Sequence, residues 1–218
     1  MNARAKGSHR DKAILHAIER HMSLDTNQVQ CLLFPFKYGR RKAQQRLLQL
    51  HKKGKLNRYK LGDGPYCYYQ DKKPGKLEHL IATNWVRIWL SIRLHSWERL
   101  HSWEYESDYK ILRCDGFAAV KNTVTGTFKF YFVEMDRGTN AFDKVQKYNR
   151  LYDTEGYQGR WWVKIADRFP TVLVVTTTRH RAEHINRLIK EHNQAGLRFE
   201  VYLLEQIKRE VTENCLKI

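Results

Sequence analysis

Apolar positions recur along this chain with two different periods, and the switches between them mark out its parts. From His9, the residues Ile14, Leu15, Ile18 and Met22 fall at helical spacing. A second helix is predicted through Val29, Leu32 and Leu33, with Asp25 or Thr26 placed to cap it and Pro35 to end it. A third spans about Tyr38 to Lys53 and is closed by Gly54, a residue type suited to the turn after a helix. Its inward stripe is Ala43, Leu47 and Leu50. The period then drops to two. Leu56 to Leu61 and Tyr66 to Gln70 alternate around Gly62-Asp63-Gly64-Pro65, which predicts a β-hairpin.

Asp71-Lys72-Lys73-Pro74-Gly75 interrupts the pattern and predicts a linker over 71–76. A long helical pattern follows from Leu77 through Leu80, Ile81, Val86, Ile88 and Leu90. Strands are then expected near Tyr109 to Arg113, over Gly116 to Lys121 and over Phe128 to Met135, followed by a helix from Asn140 to Tyr152. Thr171 to Thr177 is a continuous apolar run, the mark of a central strand covered on both faces. A helix over His184 to His192, a strand over Arg198 to Leu203 and a terminal turn or helix over Glu205 to Glu210 complete the order. This succession predicts an α/β fold, a mixed sheet with a leading antiparallel hairpin and a parallel crossover. The expected organisation is a disordered tail over 1–8, a helical domain with its hairpin over 9–70, the linker, and an α/β domain over 77–218.

A tandem repeat, Leu94-His-Ser-Trp-Glu then Leu100-His-Ser-Trp-Glu, stands between helix and sheet. Read as helix, a spacing of six turns the copies about 120° apart. Trp97 and Trp103 are therefore expected to pack on the sheet, and the two histidines and two tryptophans not to converge on one metal or base-stacking site.

The 218 residues are 42% hydrophobic and 12% aromatic, enough for one sizeable core and a small second domain. The net charge is +17 and is unevenly placed: residues 1–76 carry 18 lysines and arginines against 5 acids, the remainder 22 against 18. Such a basic N-terminal third is the footprint of a polyanion-binding module. On the third helix Lys42, Arg46, Gln49 and Lys53 form a stripe of donors, with Arg40, Arg41 and Gln45 beside it. Arg58 and Lys60 lie on the hairpin. A helix apolar on one side and donor-rich on another suits the major groove of double-stranded DNA; a merely solvated face is the competing reading. Cys31, Cys67, Cys114 and Cys215 form no C-x-x-C pair, so neither a zinc ribbon nor a redox motif is signalled, and reduced thiols in a cytoplasmic protein are expected. The absence of a signal-peptide core and of any long apolar run leads to the expectation of no membrane association.

Candidate chemistry gathers between Leu112 and Tyr152. Glu134 and Asp136 are two apart and share one face of a strand. Asp115 heads the preceding strand, or interrupts it, and an antiparallel hairpin would bring it beside Glu134. Carboxylates converging at a buried strand end need a cation, either a divalent metal or Lys144 and Lys147. Asp136-Arg137-Gly138-Thr139 also reads as a turn and helix cap. Tyr148 and Tyr152, one turn apart, are candidates for covalent tyrosine chemistry, but no histidine cluster accompanies them and packing is the plainer role.

Three helices followed by a basic hairpin, with Arg46-Leu47-Leu48-Gln49-Leu50 and Gly54-Lys55-Leu56-Asn57-Arg58, resemble the winged helix-turn-helix family. The later order, with Asp115-Gly116 and Glu134-x-Asp136, resembles the PD-(D/E)XK restriction-endonuclease-like fold. Glu134-Met-Asp-Arg-Gly-Thr139 with Lys144 and Tyr148 is similar to the plasmid replication-relaxation family, which joins a winged helix to such a domain and neighbours relaxases of the same fold. The resemblance implies that Asp115, Glu134 and Asp136 hold Mg²⁺ or Mn²⁺. It implies that Lys144 and His79 assist a metal-dependent endonuclease or nickase acting at an origin of transfer or replication. Relaxosome proteins and a second copy of the chain are the implied partners besides DNA. Two positions depart from the pattern: Cys114 stands where proline is usual, and Asp136 where lysine is usual. They leave open a non-catalytic DNA-binding accessory or transcriptional regulator with a degenerate nuclease domain.

Overall fold

A computed structural model of the chain describes residues 3–216. Among them are seven α-helices, a short 3-10 turn at Val163–Ile165, and two β-sheets of three and five strands. The architecture is mixed α/β. The chain divides into two compact units: residues up to Ile88 with those from Lys208 onward, and Trp89–Ile207. Among the described residues no helix is long and apolar enough to cross a membrane. The four cysteines are free thiols.

The first unit holds α1 (Ala3–His21), β1 (Leu24–Asp25), α2 (Thr26–Leu33), α3 (Gly39–Lys52), β2 (Asn57–Lys60), β3 (Tyr66–Tyr69) and the first three turns of α4 (Leu77–Ile92). From Lys208 it also holds α7 (Leu204–Leu216). Helix α1 begins at Ala3, so the expected disordered tail is helical from that point; Met1 and Asn2 lie outside the described residues. Helix α2 starts where a reciprocal cap is available. Asp25 Oδ1 accepts from the Gln28 amide at 2.8 Å, and Gln28 Oε1 accepts from the Asp25 amide at 3.0 Å. The β2–β3 hairpin gains β1 as a third antiparallel strand, in the order β1-β3-β2. Ile14, Ile18, Val29, Ala43, Leu47 and Leu50 are buried, as the helical spacing predicts, while Met22 of the same pattern is 44% exposed.

The unit boundary falls after Ile88 and not at the expected linker over 71–76. Buried amides explain why. Gln28 Nε2 donates to the Ile81 carbonyl at 2.8 Å, and Asn84 Nδ2 donates to the carbonyls of His21 and Ser23 at 3.0 and 2.7 Å. Arg87 Nη1 donates to the Arg20 carbonyl at 2.6 Å. Buried donors of this kind are costly to leave unmade, so they fasten the start of α4 to the unit that precedes it.

The second unit is a five-stranded sheet in the order β4-β5-β6-β7-β8, comprising Glu98–Tyr105, Gly116–Asn122, Phe128–Asp136, Thr171–Thr176 and Phe199–Leu203. The β4–β5 and β5–β6 pairs are antiparallel, and β6–β7 and β7–β8 are parallel. Helices α5 (Lys144–Asp153) and α6 (Arg179–His192) make the crossovers. All six residues of β7 are buried, as its continuous apolar run predicts. Phe117, Phe130, Phe132, Tyr148, Trp162, Val172, Val174 and Ile185 form the core on one face.

The first strand is not where the alternation near Tyr109 to Arg113 puts it. That segment is a loop with Lys110 at φ 65° and one isolated bridge, Asp108 to Arg113. The edge strand is β4, which runs through the second copy of the repeat. A register shift between Leu100 and Ser102 breaks its alternation, and Trp103 then covers Gly116 so closely that an added Cβ would meet the ring at 2.7 Å. Trp103 therefore packs on the sheet as expected. Trp97, before the strand, remains 47% exposed.

Candidate functional site

Strand β6 places alternate residues on one face, so Glu134 continues the line of Phe128, Phe130 and Phe132 into the core. It is only 2% exposed. Asp115, just ahead of β5, is pinned to the end of β6 by two bonds. Its amide donates to the Val133 carbonyl at 3.1 Å, and its Oδ2 accepts from the Met135 amide at 2.7 Å. The hairpin thus sets Asp115 alongside Glu134, as expected. Lys144 opens α5 with its Nζ 2.8 Å from Glu134 Oε2, and donates to the Arg113 carbonyl at 3.0 Å. One turn on, Tyr148 donates its hydroxyl to Glu134 Oε1 at 2.7 Å. Positions four apart on a helix share a face, so a single element supplies both partners of the carboxylate.

Burial pushes the Glu134 carboxyl up; the Lys144 ammonium draws it down, Asp115 pushes it up again, and the result is about 7. For Lys144 burial works against the ammonium, but the Glu134 and Asp115 carboxylates outweigh it and hold its pKa above the usual lysine value. Burial and then Glu134 keep the Tyr148 hydroxyl protonated well above the ordinary tyrosine range. The neighbouring Cys114 is buried, with its Sγ 3.6 Å from the Ser107 carbonyl, and its thiol is pushed up chiefly by burial.

Asp136 does not join this group. Arg181, in the first turn of α6, grips it in a fork: Nε to Oδ2 at 2.7 Å and Nη2 to Oδ1 at 3.0 Å. The Thr176 hydroxyl donates to Oδ2 at 3.3 Å, and Arg181 Nη2 also donates to the Asn140 carbonyl at 2.6 Å. The expected third metal carboxylate is therefore an ion-paired residue that fixes the loop between β6 and α5. Among the described residues no group of three or more His, Cys, Asp or Glu side chains could hold a metal ion. Lys147 pairs with Asp143 at 2.7 Å and does not reach the cluster. His79 lies on α4 in the first unit, whereas Glu134 and Lys144 lie in the second. Tyr152 is substantially exposed.

In the first unit α3 presents Arg40, Arg41, Lys42, Gln45, Gln49 and Lys53 to solvent, together with Gln44 and Lys52, which the stripe reading passes over. Arg46 is diverted. Its Nε and Nη2 bind Asp11 Oδ1 at 2.9 and 2.5 Å, Nη2 also donates to the Gly7 carbonyl, and Nη1 donates to Gln49 Oε1. It ties α3 to α1 and does not stand free in the donor stripe. On the hairpin the Arg58 guanidinium lies 4.3 Å over the Tyr66 ring, while Lys60 is exposed. The perturbed Glu134, Lys144 and Tyr148 meet beside Asp115 at the end of a buried strand, the kind of place where chemistry is done. Compared with known proteins, the chain matches no family model, no curated protein and no solved structure.

Proposed function

We propose that the first unit is a winged-helix module that binds double-stranded DNA. On this reading the second unit is a restriction-endonuclease-like domain that cuts one strand as a metal-dependent nickase, in the manner of plasmid relaxases acting at an origin. The observation that carries the reading is the juxtaposition of Asp115, Glu134 and Lys144 at one strand end, with the carboxyl of Glu134 driven to about 7 by burial. The surplus of 13 cations in residues 1–76 and the exposed donors of α3 support the DNA-binding part.

The donor set fits Mg²⁺ or Mn²⁺. Hard cations of this type take one or two carboxylates and complete their shell with water and substrate phosphate, and the Lys144 ammonium beside Glu134 already marks a cation-accepting seat. Asp115 and Glu134 are the residues to hold it; when bound, it supplies polarisation of the phosphodiester and a lower pKa for an attacking water. Tyr148 fixes the orientation of the Glu134 carboxylate through its 2.7 Å hydrogen bond. Lys144, released from Glu134, donates to the phosphate oxygen on which charge grows. The Asp136–Arg181 fork holds the loop that leads into Lys144 and takes no part in cation binding.

A second reading has its own support. In this arrangement both Glu134 oxygens are already taken, by Lys144 and Tyr148, which suits a non-catalytic DNA-binding accessory or regulator whose second unit is a scaffold. Incubation of supercoiled plasmid carrying the element's own origin with Mn²⁺, Mg²⁺ or EDTA separates the two. Open circles that need the metal and vanish with Asp115→Asn are the expected result. Metal-independent binding with no nicking in any condition overturns the nuclease reading.

A further inference from the structure

The tandem repeat takes no part in the bonds around Glu134, yet it builds a surface of its own at the opposite end of β6. His101 is exposed and stands edge-on to Phe128 at 5.3 Å and tilted to Trp161 at 6.3 Å. Phe128 lies parallel to Phe130, with centroids 5.7 Å apart and planes 8° apart, and the Lys121 ammonium sits 5.5 Å over its ring. Trp161 is 43% exposed but not loose: it packs edge-on to Phe130 at 5.8 Å, and its Nε1 donates to Glu104 Oε1 at 3.1 Å. A second pair, His95 and Trp97, stacks at 4.7 Å with planes 10° apart. The Thr123 amide and hydroxyl hold the Trp97 carbonyl, which anchors that pair at the β5–β6 turn. Beside these rings a cavity of about 210 Å³ opens, lined by Phe128, Phe130 and Phe169 with Lys129, Arg168 and Arg198 and the acids Asp167 and Glu200; Arg198 pairs with Glu200 at 2.6 Å.

The helical reading of the repeat denied it a base-stacking role because the copies diverge by a third of a turn. As a strand the second copy obeys a different geometry, and the register shift at Leu100/Ser102 accompanies a His101 that stands against Phe128 and Trp161. The outcome is a group of rings in which His101 is exposed, Trp161 is 43% exposed and Phe128 is half-buried, with Lys121 and Arg168 close by. Bases in a duplex have their faces covered by their neighbours; unpaired bases offer theirs to protein rings, while a basic surface holds the backbone. Lys129, Arg168 and Arg198 outnumber Asp167 and Glu200 around the cavity and Lys121 lies over Phe128, which favours a polyanion over a cationic or neutral surface of the same apolar character. We infer that this end of the second unit binds unpaired nucleotides of single-stranded DNA. Bases stack on Trp161, His101 and Phe128, and one enters the cavity with its phosphate at Arg168.

The inference deepens the DNA reading and rests on it: a nicked and unwound strand has to be held somewhere. Phe128 lies six residues before Glu134 on the same strand face, about 20 Å away at strand rise.

The test is fluorescence anisotropy with the full chain, using labelled oligo(dT) and a labelled duplex of equal length at one fixed salt concentration. Trp161→Ala is expected to weaken oligo(dT) binding about tenfold, the loss typical of one stacked base, with duplex affinity unchanged and most of the loss restored in Trp161→Phe. His101→Ala, at an exposed position, gives the same direction should Trp161→Ala fail to fold by circular dichroism. If the wild type binds oligo(dT) and neither variant changes it, this site is wrong while the DNA reading stands. If the wild type binds neither strand nor duplex, both fall. Variants that alter self-association in sedimentation but leave oligo(dT) binding intact would make the patch a protein interface and overturn the inference.

Discussion

Replacing Lys144 by methionine tests whether the ammonium neutralises a buried acid, because its cost has to change with pH. The substitution keeps most of the apolar stem and removes the one cation paired with Glu134. Removing one partner of a buried ion pair costs about 3–5 kcal/mol when the other charge must stay. Glu134 has a way out, since it can take up a proton. Its folded pKa is already about 7 against an ordinary 4.5, and loss of the Lys144 contribution raises it further. A carboxyl whose folded pKa is raised binds the proton more tightly in the native state. Stability therefore falls as pH rises between the unfolded and folded values. In the wild type that window ends near 7; in Lys144→Met it extends upward.

At pH 5.5 Glu134 is largely protonated in both folded proteins, and the variant loses only a charge-assisted hydrogen bond, about 1.5–3 kcal/mol. At pH 8.5 the variant must either hold a proton against solvent, at about 1.4 kcal/mol per unit, or leave a carboxylate bare, so the penalty grows toward 3–5 kcal/mol. Urea unfolding at the two pH values reads this directly. Adding Glu134→Gln to the variant removes the titrating group and is expected to abolish the pH-dependent part. A penalty that is equal at both pH values, or smaller at pH 8.5, would show that Lys144 does not neutralise Glu134, and the cluster would lose its electrostatic basis.

Three further outcomes follow from the packing. Gly116→Ala sets a Cβ 2.7 Å from the Trp103 ring and is expected to cost about 1–3 kcal/mol in chemical denaturation, with a shift in tryptophan emission; a neutral effect would place Trp103 elsewhere. Arg46→Ala is expected to lower the stability of the first unit and leave the salt dependence of DNA binding nearly unchanged, whereas Arg41→Ala or Lys42→Ala each reduces the log–log salt slope by about 0.9 without loss of stability. His21 is held at about 4, first by burial and then by Arg87, so its folded pKa lies below the unfolded 6.5. Its contribution is present above pH 6.5 and lost as pH falls toward 4, worth about 3 kcal/mol in full; Asp25, raised to about 6 by burial, opposes it over part of that range. His21→Gln is therefore expected to flatten the acid limb of stability measured by urea titration from pH 7 to pH 4.

What was legible in the sequence, and what was not, divides by distance along the chain. The cap at Asp25, the apolar stripe of α3 and the buried β7 run are written within a few residues of one another, where helix and strand periods decide the outcome; the answering Gln28 bond goes unpredicted. The pairing of Asp115 with the end of β6 was legible too, because a hairpin between neighbouring strands leaves little choice of partner. Arg46 reads as a groove contact until Asp11, 35 residues earlier, is seen to claim it. The edge strand eluded the spacing because a register shift interrupts its alternation, and because six residues mean opposite things on a helix and on a strand. The linker over 71–76 has the right composition for a boundary, but composition does not report that Asn84 and Gln28 bond back into the first unit.

Asp136 carries this furthest. Period two puts Glu134 and Asp136 on the same face of β6, and that much is correct; the error lies in supposing that one face means one partner. Successive same-face residues on a strand have Cα atoms about 7 Å apart, so each side chain can be met by a different partner even though both point the same way. The first two turns of α5 arrive over Glu134 with Lys144 and Tyr148, while the first turn of α6 arrives over Asp136 with Arg181, 45 residues away. Each carboxylate thus answers to the helix that begins above it. With Asp136 neutralised by a fork of its own, the site beside Asp115 and Glu134 retains two acids and one lysine, and it is this reduced set, not a triad, that any catalytic account of the second unit has to use.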